Sequence, residues 1–166
     1  MSTLAVIWRG AGLLLATDTQ YVIEVLPPVA CRPVPGVPLW VRGVFMYRGD
    51  LISLIDAERL LSDLPNAQAS PPMGDLLLNR VLVLRVASRA AEPARPVGLW
   101  VSSILELDHI DFAGRHTHAG FPSESARFLG PIAPTRWGAV QLVSPADLLT
   151  TEQAELISRR LSEAAS

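Results

Sequence analysis

The sequence predicts a mainly β fold of two similar subdomains packed together, and two observations carry that expectation. Short β-rich runs recur with turn signals between them, and the two halves of the chain share a weak internal repeat. In chain order, the runs at residues 4–8 and 13–16 flank Arg9, Gly10, Ala11 and Gly12, where a missing β-carbon permits the positive φ of a tight hairpin. The runs at 41–47 and 51–55 flank Arg48 and Gly49 in the same way. Further strands are expected at 80–86, 97–101 and 139–143. Helices are few. Residues 57–61 follow the strand ending at Ile55, and residues 145–149 have Ser144 as N-cap and Pro145 at the first helical position. Thr150 with Gln153 forms a capping box, after which Ala154, Ile157, Leu161 and Ala164 share one face. A C-terminal helix packed on its own barrel should therefore start near Thr151. Residues 62–75 and 87–96, rich in Pro, Ala, Ser and Arg, read as loops.

The repeat aligns Arg48, Gly49, Asp50 and the following LISLIDAERLL with Trp137, Gly138, Ala139 and the following VQLVSPADLL. Upstream, VRGV at 41–44 parallels FLGP at 128–131, and YVIEVLPPV parallels WVSSILELDHI. The expected organisation is a single domain over residues 4–150 made of two intertwined subdomains, followed by a helical tail at 151–166.

Composition limits the function. The 166 residues, 49% of them hydrophobic, suffice for a substantial core. Fourteen basic and sixteen acidic side chains leave a formal charge of −2, which excludes the basic field that non-specific nucleic-acid binding needs. A lone cysteine, Cys31, excludes an internal disulfide and fits a reducing compartment. The opening MSTLAVIWRG has no basic segment before its short apolar run, and no apolar run approaches the roughly 20 residues that span a bilayer. A cytoplasmic protein without direct membrane insertion is expected.

Chemistry is hard to find in the sequence. His116 and His118 would point to one side of a strand, but GRHTHAGFPSES offers no cysteine or acidic pair to complete a metal site. His109 is isolated. Cys31 beside Arg32 reads as a small strand-lining residue, and no Gly-x-Ser-x-Gly occurs. The acid pairs Asp108 with Asp111 and Asp56 with Glu58 are explained by solvated charges and helix caps. Gly10 and Gly12 lack the rest of a dinucleotide fingerprint, and every basic residue is arginine, so there is no Walker-type lysine. No cofactor, metal or catalytic activity is expected.

The informative segment is 34–56. In VPGVP, Pro35 and Pro38 fix φ while Gly36 allows a turn between them, so the connector is stiff. It delivers a strand interrupted by Gly43, then a hairpin at Arg48 and Gly49, then LISLID. Together with EVLPPV, WVRGV and YRG, and with the later RVLVL, VGLWV, FLGPI and GAVQLV…DLL, these pieces resemble the CheW family of chemotaxis coupling proteins over residues 4–149. The resemblance implies two small five-stranded β-barrels on a shared core, short helices, and a non-catalytic adaptor between a methyl-accepting chemoreceptor and a CheA-type histidine kinase. By motif match, Val22, Glu24 and Arg48 occupy positions with which the family grips the receptor's cytoplasmic signalling tip, while Pro35, Gly36, Gly43 and Gly49 shape the hairpin. The kinase's regulatory domain is the second implied partner, and recruitment to membrane receptor arrays follows.

The chain departs from the family where Asn-Leu-Arg-Gly is usual, since it reads Met46, Tyr47, Arg48, Gly49. With EVLPPVACRPVPGVP, this variant looks like the WspB-type coupling proteins of surface-sensing pathways, whose output is a diguanylate cyclase. Two other readings stay open: a small-molecule-binding barrel or degenerate enzyme with its site between the subdomains, and a modulator that competes with a main coupling protein.

Overall fold

The computed structural model describes residues 2–62, 77–86, 95–113 and 128–164. In chain order it contains β1 (Thr3–Gly10), β2 (Leu13–Asp18), β3 (Val22–Leu26), β4 (Val41–Tyr47), β5 (Asp50–Asp56), α1 (Ala57–Ser62), β6 (Arg80–Arg85), β7 (Pro96–Val101), β8 (Ser103–Ile110), β9 (Leu129–Thr135), β10 (Gly138–Val143) and α2 (Thr151–Ala164). A 3-10 turn, Pro145–Asp147, follows β10. All seven strands expected from the sequence are present, and β3, β8 and β9 join them. The two expected loops fall largely outside the described residues, as do His116 and His118.

The strands form two five-stranded sheets, β8-β1-β2-β10-β9 and β3-β6-β7-β5-β4. Matching β3 through β7 with β8, β9, β10, β1 and β2 superimposes the two orders strand for strand. Each sheet then has one parallel pair, β5 with β7 and β10 with β2, among antiparallel neighbours. The repeat in the sequence is this symmetry: the segments aligned above lie on β3 with β8, β4 with β9, and β5 with β10. β1 and β2 complete the sheet begun by β8, β9 and β10, whereas β3 through β7 build the other sheet from one continuous stretch of chain.

Period-2 alternation divides the central strands between cores. On β1, Val6 and Trp8 enter a cluster shared by both sheets, while Ala5 and Ile7 enter a cluster inside their own sheet. On β6, Leu82 and Leu84 join the shared core, while Val81 and Val83 line the interior of the second sheet. Burial on both faces explains why these strands read as continuous apolar runs. The indole of the buried Trp8 donates to Thr17 Oγ1 at 3.0 Å, so its polar atom is satisfied inside the shared core.

Both sheets are open ladders and not closed barrels. Among the described residues, β3 and β4 are opposite edges of one sheet, and β8 and β9 of the other. The edges are protected by different means. Against β4, the connector lays Arg32 alongside Val44, with N–H to carbonyl bonds of 2.8 and 2.9 Å in both directions. On β9, Pro131 and Pro134 remove two backbone donors, which keeps an edge strand from templating further pairing.

The connector turns at Pro35 and Gly36, with Gly36 at φ +78°. A β-carbon on Gly36 would come within 2.9 Å of Arg160 Nε, so α2 lies against this turn. The capping box at the start of α2 is formed: Gln153 N–H donates to Thr150 Oγ1 at 3.1 Å and Thr150 N–H to Gln153 Oε1 at 2.9 Å. Ile157 is buried, as the apolar face requires. Asp56 closes the segment. It is buried, its Oδ1 accepts from the Arg59 N–H at 3.3 Å at the start of α1, and its Oδ2 lies 3.3 Å from Arg42 Nη1. The Arg42 guanidinium in turn lies 4.1 Å from the Trp100 ring centroid. Asp56 is thus a cap and a counter-ion. Asp108 and Asp111 similarly accept from the nearby backbone N–H groups of His109 and Ala113.

Candidate functional site

The hairpin between β4 and β5 turns on Arg48 and Gly49, with Tyr47 paired to Asp50. Arg48 has φ +49° and Gly49 φ +88°, the double left-handed turn that matches strand twist. Around Gly49 nothing lies within 4 Å of a built β-carbon, so backbone conformation alone favours glycine there. Lower in the hairpin, the register shifts between Val41 and Gly43, and Gly43 takes φ +149° with its α-carbon directed at the Arg32 carbonyl. The kink at Gly43 is what lets the connector pair with β4.

Tyr47 and Arg48 then reach across the open mouth of the sheet to β3, the opposite edge. The Tyr47 hydroxyl donates to Glu24 Oε2 at 2.5 Å, and Arg48 Nη2 lies 3.2 Å from the same oxygen. The Arg48 guanidinium sits 5.2 Å from the Tyr47 ring centroid. The hydrogen bond to Glu24, then burial, raises the Tyr47 pKa above 10.0, so the phenol stays a neutral donor across physiological pH. Two of the three residues singled out as receptor contacts, Glu24 and Arg48, are therefore joined. The third, Val22, is partly buried and packs on the shared core. Cys31 packs partly buried on the cluster inside this sheet, with Sγ 3.7 Å from the Arg42 carbonyl oxygen.

Next to Glu24, Val25 points the other way, into a groove of about 380 Å³ lined from both sheets. Val25 of β3 and Leu107 of β8 are 44% and 58% exposed, and Leu78 is 55% exposed, so the groove presents contiguous apolar surface to solvent. Val6, Arg80 and Glu106 also line it. Glu106 is held by the β9–β10 hairpin: Arg136 Nε donates to Oε2 at 3.1 Å, Arg136 Nη2 bonds Oε1, and the Trp137 indole donates to Oε2 at 2.7 Å. Sequence reasoning missed this cluster and the part played by Tyr47. The signal was present in the repeat, which sets VIEV beside ILEL and Arg48-Gly49 beside Trp137-Gly138.

The bond from Arg136, then that from Trp137, lowers the Glu106 pKa below 4.5. The folded state thus favours the carboxylate, so the clamp is complete above pH 4.5 and is lost as pH falls through the depressed value. The Trp137 emission, taken as the difference between wild type and Trp137→Phe, should titrate with a midpoint below 4.5. In Arg136→Gln that midpoint should move up toward 4.5.

Among the described residues there is no group of three metal-ligating side chains and no helix long and apolar enough to cross a membrane.

Two pseudo-symmetric open sheets, a shared core and an apolar groove lined from both define a two-subdomain β scaffold. The CheW-like domain family matches residues 5–153, and the chain belongs to it. The family consists of non-catalytic scaffolds of chemotaxis signalling. The fold is similar to the crystal structure of the scaffolding protein TtCheW from Thermoanaerobacter tengcongensis, with a TM-score of 0.74 and 19% identity, covering 92% of this chain and 96% of that one. No curated protein matches the sequence.

Proposed function

We propose that this chain couples a methyl-accepting chemoreceptor to a CheA-type histidine kinase, taking the receptor's signalling tip in the groove beside Glu24 and Arg48. The observation that carries the reading lies on edge strand β3: Glu24, Tyr47 and Arg48 form one bonded unit whose arginine side chain is 69% exposed, and the next residue along the strand, Val25, lines the groove from the other face. An exposed, positioned guanidinium near apolar surface is the kind of anchor that protein interfaces favour. Val22 contributes from beneath, by supporting β3 from the shared core. The kinase's regulatory domain takes a separate face, and recruitment to receptor arrays at the membrane follows from the complex.

The Tyr47-Arg48-Gly49 variant and the connector EVLPPVACRPVPGVP favour a WspB-type, surface-sensing role, with a diguanylate cyclase as the pathway's output. The test is co-purification. A tagged receptor signalling fragment from the same genome should retain the kinase regulatory domain when the chain is present and lose it when the chain is left out. A competitor of the main coupling protein would instead lower kinase retention.

A further inference from the structure

The two sheets carry the same device at the same topological place. Glu24 on β3 pairs with Val83 of β6, and Glu106 on β8 pairs with Ile7 of β1. Val83 and Ile7 each face the interior of their own sheet. One residue on, Val25 pairs with Leu82 and Leu107 with Val6, and both partners belong to the shared core. Glu24 with Val25 and Glu106 with Leu107 are therefore equivalent under the strand matching.

Each carboxylate is bound by an aromatic donor and an adjacent arginine at the turn end of a hairpin on the far edge of its sheet. In the sheet of β3 through β7 these are Tyr47 and Arg48; in the other sheet they are Trp137 and Arg136, the same pair in reversed order. The arginine-to-ring distances are 5.2 and 5.3 Å, and the arginine side chains are 69% and 65% exposed. Trp137 itself is 42% exposed. The second cluster is closer to the groove than the first, since Glu106 lines it directly.

We propose that Arg136 and Trp137 form a second partner-reading element on the groove, and that the receptor segment it takes carries acidic side chains flanking an apolar face. This rests on the receptor-coupling reading above. The occupant's chemistry follows from charge complementarity. Apolar side chains fill the space between Val25 and Leu107. On the polar side the exposed cations are Arg136, which holds the groove-lining Glu106, and Arg48, which holds Glu24 next to the groove-lining Val25 on β3. An arginine fixed from behind by a carboxylate and beside by a ring is oriented without being covered, which suits it to a second, incoming carboxylate. Exposed pairs of this kind add little to folding stability, so their loss can be read at the level of binding.

The experiment is isothermal titration of a receptor signalling fragment from the same genome into the full chain, its Arg136→Gln and Trp137→Ala variants, and Arg48→Gln, with thermal melts of each. Both second-cluster variants should weaken binding about tenfold or more, with melting within about 2 °C of wild type. Neutralising the acidic residues of the receptor tip should remove most of the difference between wild type and Arg136→Gln. Binding within twofold of wild type for Arg136→Gln and Trp137→Ala, alongside a loss in Arg48→Gln, overturns the second element and leaves the coupling reading standing. No binding by the wild-type chain overturns both.

Discussion

Replacing Arg48 by Asn should move stability and function in opposite directions. Arg48 holds φ +49°, a left-handed conformation that costs an ordinary L-residue about 1 kcal/mol and that Asn tolerates best after glycine. Asn-Gly is the favoured pair for this turn, so Arg48→Asn should leave the melting temperature unchanged or raise it. The lost ion pair with Glu24 is exposed and contributes only about 0–1 kcal/mol. Receptor binding should nevertheless fall by about thirtyfold, the effect of removing an interface anchor worth about 2 kcal/mol, and Arg48→Glu should fall further. A hairpin whose arginine served only to fix the turn would give the reverse pattern, with lower stability and unchanged binding. Calorimetry and a thermal melt on the same samples separate the two.

Gly43→Ala should be the most damaging single substitution in the segment. A β-carbon there would lie 2.1 Å from the Arg32 carbonyl oxygen and 2.6 Å from its carbon, and backbone atoms cannot swing aside as a side chain can. The residue would also have to hold φ +149°. The chain must either break the two Arg32–Val44 hydrogen bonds or shift β4, so a loss of about 3–5 kcal/mol is expected. For a chain of this size that lowers the melting temperature by roughly 10 °C. Limited proteolysis should then cut within the connector, and a shift under about 2 °C would mean that the connector relaxes without cost. The contrast with Arg48→Asn is informative: one position shapes the segment, and the other presents its chemistry.

Much of this was legible in the sequence, and what was not has identifiable causes. The buried strands announce themselves because both faces of β1 and β6 are apolar, one for each core. The strands that local patterning does not reveal are all sheet edges. β9 carries two prolines that depress any strand expectation, and β3 and β8 mix exposed and half-buried positions. Their presence was nevertheless implied by the repeat, whose aligned segments fall on corresponding strands. The two five-stranded subdomains packed together are as expected, and their sheets stay open because the connector and the prolines of β9 occupy or silence edges that closure would join.

The site was legible in part for a similar reason. Glu24 and Arg48 were named through resemblance, and they are 24 residues apart in sequence yet share an ion pair. Tyr47 was counted as a departure from the family pattern, whereas it is the shortest link between hairpin and β3. Arg136 and Trp137 drew no attention because nothing local marks them. Their partner Glu106 is 30 residues away and meets them across the mouth of the sheet, a contact that only the curl of the sheet creates.

The central claim is that one chain holds receptor and kinase together through distinct surfaces. The most direct measurement is the size of the complex formed by the receptor signalling fragment, the kinase regulatory domain and this chain, taken by light scattering on the eluting species. The account predicts a three-component complex with the wild-type chain and, with Arg48→Glu, a two-component complex that keeps the kinase domain and releases the receptor fragment. A wild-type chain that elutes alone, or an Arg48→Glu chain that retains the receptor fragment undiminished, would contradict it.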